Sequence, residues 1–116
     1  MHVLPYKDLP SQLFDDGVMK KVTMHVAVGP EQSAPNFVMR VFTIEPGGHT
    51  TRHSHAHEHE VFFHSGKGDV FYDGETRQVC AGHVAFIAPN ADHQIRNTGG
   101  EDLVFVCVVP ILEITL

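Results

Sequence analysis

Apolar and polar positions alternate with period two through most of this chain, and helical spacing is almost absent. Lys20-Lys21-Val22-Thr23-Met24-His25-Val26-Ala27-Val28 is β-branched and roughly alternating, and Gly29-Pro30 ends it. Residues 31–36 read as a loop. Phe37 to Ile44 is the next predicted strand, stopped by Glu45-Pro46-Gly47-Gly48. Val61-Phe62-Phe63 leads through the turn Ser65-Gly66-Lys67-Gly68 into Asp69-Val70-Phe71-Tyr72. Asp73-Gly74 then joins that strand to Thr76–Cys80 as a hairpin, because both residues tolerate positive φ. Val84-Ala85-Phe86-Ile87 precedes a Pro-Asn turn, and His93 to Asn97 is a short strand before Thr98-Gly99-Gly100. Leu103 to Val109 is continuously apolar and predicts a strand buried on both faces. The segment Leu9 to Phe14 has room for one short helical turn at most.

Many short strands punctuated by Gly, Pro, Asn and Asp predict an all-β chain with a closed or sandwiched sheet. The length, 116 residues, allows one domain over 1–116, and 42% hydrophobic residues can build its core without disulfide staples. Phe42, Phe71, Phe86, Phe105, Met24 and Met39 are the expected core, and Cys80 and Cys107 are expected as buried, reduced thiols. Arg40 and Arg96 read as salt-bridge residues at the rim, ahead of the alternative that they clamp a substrate. Eight Lys+Arg against fourteen Asp+Glu give a formal charge of −6, which argues against a nucleic-acid footprint and against attraction to anionic lipid. No basic stretch followed by an apolar one opens the chain, and the longest apolar run, Leu103 to Leu112, is broken by Pro110. A spanning helix needs about 20 residues, so the expectation is a cytoplasmic protein outside the membrane.

Histidine changes the picture. Six of the ten histidines lie between positions 49 and 64: His49, His53, His55, His57, His59 and His64. On a strand His53 and His55 share a face, and His59 has the same parity, whereas Glu60 points the other way. Imidazoles converging from one sheet face can bind a first-row divalent metal through neutral nitrogens. The spacing does not fit a helical H-E-x-x-H site, and the chain has no G-x-S-x-G elbow, phosphate loop or dinucleotide fingerprint. His57 falls in a bend, His64 precedes a turn, and His49 and His83 fall at strand starts.

The stretch from Pro46 to Gly66 resembles the first motif of the cupin family, with Gly47, His53, His55, Glu60 and Gly66 at the motif's places. The stretch from Gly82 to Asn97 is similar to the second motif, which ends on a His and an Asn, here His93 and Asn97. Ala88 stands where a Pro is expected, with Pro89 one step on, and Asn90 stands for a Gly. Asn imitates Gly best in the left-handed region, so the turn survives. The resemblance covers 47–66 and 82–97 and implies a double-stranded β-helix, a jelly-roll cupin barrel, over about 20–110. It also implies a homodimer.

Carried onto these positions, the resemblance gives His53, His55 and His93 as metal ligands. The fourth is His59, as in small cupins with a four-histidine site, or Glu60, the usual glutamate. One divalent transition metal per chain is implied, Mn²⁺ or Fe²⁺ first, with Ni²⁺, Zn²⁺ or Cu²⁺ as alternatives. Four neutral imidazoles would leave the ion its full charge and favour a small anionic ligand such as a carboxylate or enolate. Two readings follow. In one the chain is a metal-dependent enzyme of dioxygenase, decarboxylase, lyase or isomerase type, with Glu58, Glu60 or His64 as candidate proton-transfer groups. In the other it is a non-catalytic module that binds a small metabolite or sugar.

Overall fold

The computed structural model describes residues 1–111; residues 112–116, which carry the end of the apolar run and of the expected domain, lie outside the described residues. The described residues form nine strands: β1 (Ser11–Phe14), β2 (Lys20–Val28), β3 (Phe37–His49), β4 (His59–Ser65), β5 (Lys67–Tyr72), β6 (Glu75–Cys80), β7 (Val84–Ile87), β8 (His93–Asn97) and β9 (Leu103–Pro110). All pair antiparallel, in the order β6-β5-β8-β3-β9-β4-β7, with β2 also on β3 and β1 on β2. The sheet curls until its end strands β6 and β7 are joined by a short turn, in which His83 N–H donates to the Cys80 carbonyl at 3.0 Å. The result is the all-β jelly-roll barrel expected from the strand pattern.

Alternation decides what faces the interior. Along β9, Leu103, Phe105, Cys107 and Val109 are buried, while Val104, Val106 and Val108 are only half-buried. The expected burial of this strand on both faces is therefore corrected, since nothing among the described residues covers its outer side. Ile44, Phe63 and Leu103 are fully buried, and Phe42 stacks on Phe105 with ring centroids 5.1 Å apart. Met24 joins this core, but Met39 is exposed, Phe71 is half-buried and Phe86 is 59% exposed. Parity explains Phe86, which lies with Val84 on the outer side of β7, opposite the outer residues Glu60 and Phe62 of β4. Cys80, at the exposed end of β6, is not the buried thiol expected; Cys107 is.

Two boundaries also differ from expectation. Leu9 to Phe14 holds no helical turn: a 3-10 turn occupies Tyr6–Asp8, and Ser11–Phe14 is strand, registered from Ser11 opposite His25 to Phe14 opposite Val22. Its conformation comes from that distant partner rather than from its own propensity. Strand β3 does not stop at Glu45. It bends through Gly47, at φ 83°, and Gly48, where a Cβ would lie 2.5 Å from the Lys20 carbonyl, and ends at His49 opposite Lys20 and Arg96. His49 thus lies at a strand end, not a start.

The expected turns hold. Asp73 and Gly74 both have positive φ, 45° and 86°, and Asn90 takes 66°, the left-handed role its substitution for Gly required. Asn97 closes the second motif from inside. It is 4% exposed; its Nδ2 donates to the carbonyls of Ile44 at 2.8 Å and Glu101 at 2.7 Å, and its Oδ1 accepts from Gly99 N–H at 2.8 Å. Removing the amide strands buried polar backbone groups, so Asn97→Ala is expected to lower unfolding stability by about 2–4 kcal/mol. Urea denaturation measures this, and a loss below about 0.5 kcal/mol would show that the amide is not a structural clamp.

Candidate metal centre

The site forms where the segment between β3 and β4 crosses β8. Thr50 N–H donates to the Ile95 carbonyl at 2.9 Å, and Thr50 Oγ1 accepts from Ile95 N–H at 2.9 Å. His53 and His93 then exchange backbone hydrogen bonds of 3.1 and 3.0 Å, an isolated bridge. Asn90 N–H donates to the His55 carbonyl at 2.7 Å. Outside, Arg52 pairs with Asp92 at 2.9 Å and lies over the Phe71 ring at 4.3 Å. This exposed ion pair adds little stability by itself. It clips the segment carrying His53 and His55 to the residue beside His93.

Four rings converge here. Ring centroids are 4.9 Å apart for His53–His55, His53–His93 and His55–His93, 4.5 Å for His55–His59 and 5.3 Å for His59–His93. The ligating atoms of His53, His55 and His93 lie within 4.8 Å of one another, as do those of His55, His57 and His59, so His55 belongs to both groups. Three of the four rings are oriented through their second nitrogen. His55 Nδ1 faces the His57 carbonyl at 2.8 Å, and His93 Nδ1 faces that of Ala91 at 2.9 Å. A carbonyl only accepts, so both rings carry their proton on Nδ1 and turn an Nε2 lone pair inward. His59 Nδ1 lies 2.7 Å from Cys107 Sγ, and its Nε2 lies 2.7 Å from His55 Nε2. When Nδ1 of His59 donates to the sulfur, two lone pairs oppose each other across that gap, an arrangement that a cation relieves. Metal–imidazole bonds of about 2.0–2.1 Å would set neighbouring ligand nitrogens at a similar separation. The donor set therefore fits a first-row divalent ion.

The other candidates lie elsewhere. Strand β4 alternates, with Val61 and Phe63 buried and Glu60, Phe62 and His64 exposed on the outer face. Glu60 is thus not brought to the cluster, and its carboxyl is raised above the usual range by desolvation first, then by a hydrogen bond and charge from Glu58. His64 contacts Ser65 Oγ at 3.2 Å. Neither they nor Glu58 line the cavity beside the cluster. His57 is in the expected bend, yet its ring stacks on His55 at 3.8 Å and 4°. Among the described residues Arg40 forms no rim salt bridge, and Arg96 donates to Gln94 Oε1 at 3.0 Å. The sequence put Cys107 among the buried thiols and Arg40 at the rim ahead of a substrate-clamping role. Parity gives the inward side of both, since each lies two residues along its strand from an inward phenylalanine, Phe105 and Phe42.

A small antiparallel barrel with histidines converging inside it is a recognisable class, the jelly-roll barrels built around an interior metal-capable site. The Cupin_2 family model, a cupin domain, matches residues 40–109, and the chain belongs to that family. Among curated relatives, an oxalate-binding protein of Thermotoga maritima is 34% identical over 70 residues, which are 60% of this chain and 58% of that protein. A 1-methylthio-D-xylulose 5-phosphate methylsulfurylase of Rhodospirillum rubrum is 32% identical over 71 residues, 61% of this chain and 46% of that one. The chain thus spans about half the length of the curated relatives it matches. Among solved structures, the polyketide cyclase RemF from Streptomyces resistomycificus superposes with a TM-score of 0.88 at 25% identity, covering 96% of this chain and 80% of that one. No helix among the described residues is long and apolar enough to cross a membrane.

Burial disfavours the charged form of His53, His59 and His93. Burial, followed by the neighbouring charges of His55 and Arg40, pushes His59 down to about 2. Burial and then His93 and His55 push His53 down to about 4. His93 is also lowered, by burial first, with the Ala91 carbonyl opposing. A histidine whose folded value lies below its unfolded one is protonated first in the unfolded chain. Stability therefore rises with pH across that interval and falls as pH drops below about 6.5. For metal-free protein the thermal midpoint is expected to fall by on the order of 5 °C between pH 7 and pH 5, and by less in a His53→Gln/His59→Gln variant. Equal slopes in the two proteins would contradict this origin of the acid sensitivity.

Proposed function

We propose that this cupin holds one divalent transition metal, Mn²⁺ or Fe²⁺, through His53, His55, His59 and His93, and presents it to a small anionic, oxygen-rich metabolite. The observation that carries this reading is the facing pair of imidazole nitrogens, His55 Nε2 and His59 Nε2 at 2.7 Å, with His53 and His93 bridged beside them. The outward position of Glu60 supports His59 over it as the fourth ligand. A bound divalent ion would supply Lewis acidity to a carboxylate or enolate chelated at its open positions. The chain's own residues set which ligand enters. The adjoining cavity, about 90 Å³, is lined by His53, His59, His93, Thr50 and Arg40 among apolar side chains, and by no carboxylate. A narrow space of that size beside the histidines favours a small acid as the group that reaches them.

The enzymatic form of this reading, an oxidoreductase or a lyase/isomerase, draws support from the methylsulfurylase and cyclase names among the similar proteins. The absence of Glu58, Glu60 and His64 from the cavity lining leaves the enzymatic form without a carboxylate or a spare imidazole there for proton transfer. That same absence, with the oxalate-binding relative, favours the second reading, a binding module without turnover. Oxygen uptake and product analysis of Fe²⁺-loaded protein with small carboxylates separate the two.

The ligand choice has its own test. In protein without a polyhistidine tag, His59→Ala is expected to weaken Mn²⁺ or Co²⁺ binding by about a hundredfold, and Glu60→Ala to leave it within about twofold. Equilibrium dialysis with elemental analysis measures both. The reverse pattern would move the fourth ligand to Glu60, and less than about a tenth of an equivalent in the parent protein would remove the metal reading.

A further inference from the structure

Among the described residues, Arg40 is the strong cation that lines the cavity beside the histidines. It occupies an inward position of β3, between buried Val38 and Phe42, and its backbone pairs with Cys107 of β9. Its Nη2 donates to Cys107 Sγ at 3.7 Å, and that sulfur is the atom 2.7 Å from His59 Nδ1. The guanidinium carbon lies 5.1 Å from the Phe42 ring centroid, an attractive placement for a cation over an aromatic face. Its Nε is fully buried and has no hydrogen-bond partner among the described residues. The ion pairs among those residues are Arg52–Asp92 and Arg77–Glu75, neither of which involves it. A buried guanidinium N–H without an acceptor costs more than an ordinary contact returns, so such a group usually has a partner to bind.

Resting on the four-histidine reading, we propose that Arg40 is the anion clamp of this site and fixes its ligand class as small dicarboxylates and oxoacids. The geometry places the Arg40 guanidinium and the rings of His53, His59 and His93 on the wall of one cavity, with Cys107 and Phe42 holding the guanidinium in place. Its lining holds no Asp or Glu to neutralise either group. With an ion on neutral imidazoles, the cavity would carry three positive charges and no fixed negative one. A monocarboxylate chelated at the histidines leaves Arg40 unmatched. A compact dianion satisfies both, one carboxylate toward each, and the planar fork of Arg suits a carboxylate better than the point charge of Lys. Arg40 is thus a specificity-determining residue rather than the rim salt-bridge partner that its sequence context suggested.

The test uses the full chain loaded with Co²⁺, whose visible spectrum reports ligands entering its shell, and the probes oxalate, malonate, acetate and imidazole. The parent protein is expected to bind oxalate or malonate at least tenfold more tightly than acetate. Arg40→Gln should keep one equivalent of Co²⁺ and its affinity for neutral imidazole within twofold, yet lose tenfold or more in dicarboxylate affinity. Arg40→Lys, which keeps charge and length, should recover part of that loss, and it carries the test alone if the Gln variant does not fold. Dicarboxylate affinity unchanged within twofold in the folded variants overturns the clamp and leaves the metal reading standing. A parent protein that takes Co²⁺ but neither dicarboxylate also overturns it. Failure of the parent protein to take Co²⁺ overturns the metal reading itself, and the clamp with it.

Discussion

The pair of backbone hydrogen bonds between His53 and His93 is the constraint on which the rest of the site depends. It joins two segments far apart in sequence and fixes the spacing of two imidazoles before any side chain is oriented. Around it Thr50 and Asn90 add backbone contacts to β8 and to the carbonyl of His55, and Asp73 Oδ1 accepts from Asp92 N–H at 2.7 Å. A segment with few apolar residues, from Thr50 to Glu58, is thereby held against the barrel by polar contacts rather than by a core of its own. Rigid support of this kind is what a metal centre needs, because ligand geometry has to be present before the ion arrives.

The second layer is the orientation of each ring. Carbonyls of His57 and Ala91 and the sulfur of Cys107 engage the Nδ1 atoms of His55, His93 and His59, and leave the Nε2 atoms to converge. Desolvation in the same place lowers the proton affinity of His53, His59 and His93. Orientation and neutrality are both requirements of metal ligation, and here both follow from burial on one inward face. Arg40 shares that face, and through Cys107 it touches the same imidazole that the cluster uses. The cavity is thus electrostatically one-sided, with the Arg40 cation and no carboxylate in its lining.

Much of the fold was legible because alternation and turn chemistry are local. Asp73-Gly74 and Asn90 needed positive φ, and the strands flanking them followed from β-branched runs. The N-terminal strand was not legible, since Ser11–Phe14 is extended only by pairing with β2. Nor was the continuation of β3 through Pro46-Gly47-Gly48, where a bend keeps the chain in register with two partners on either side of it. Burial failed where a run of apolar residues hid its parity: Phe86 and Val106 look like core in sequence, and their neighbours decide otherwise. At the site, the clustering and parity of His53, His55 and His59 were readable. Parity gives the inward side of Arg40 and Cys107, but not their place beside His59, because both come from strands outside the motifs and reach it only through the β3-β9-β4 pairing.

The central claim is that these four histidines, and not another subset of the cluster, bind the ion. An anomalous difference map from crystals of the tag-free protein grown with Mn²⁺ or Co²⁺ tests it most directly. The account predicts a single strong peak about 2.0–2.2 Å from Nε2 of His53, His55, His59 and His93. A peak shared instead by His55, His57 and His59 at the bend, or one bound to Glu60 on the outer face, would contradict it.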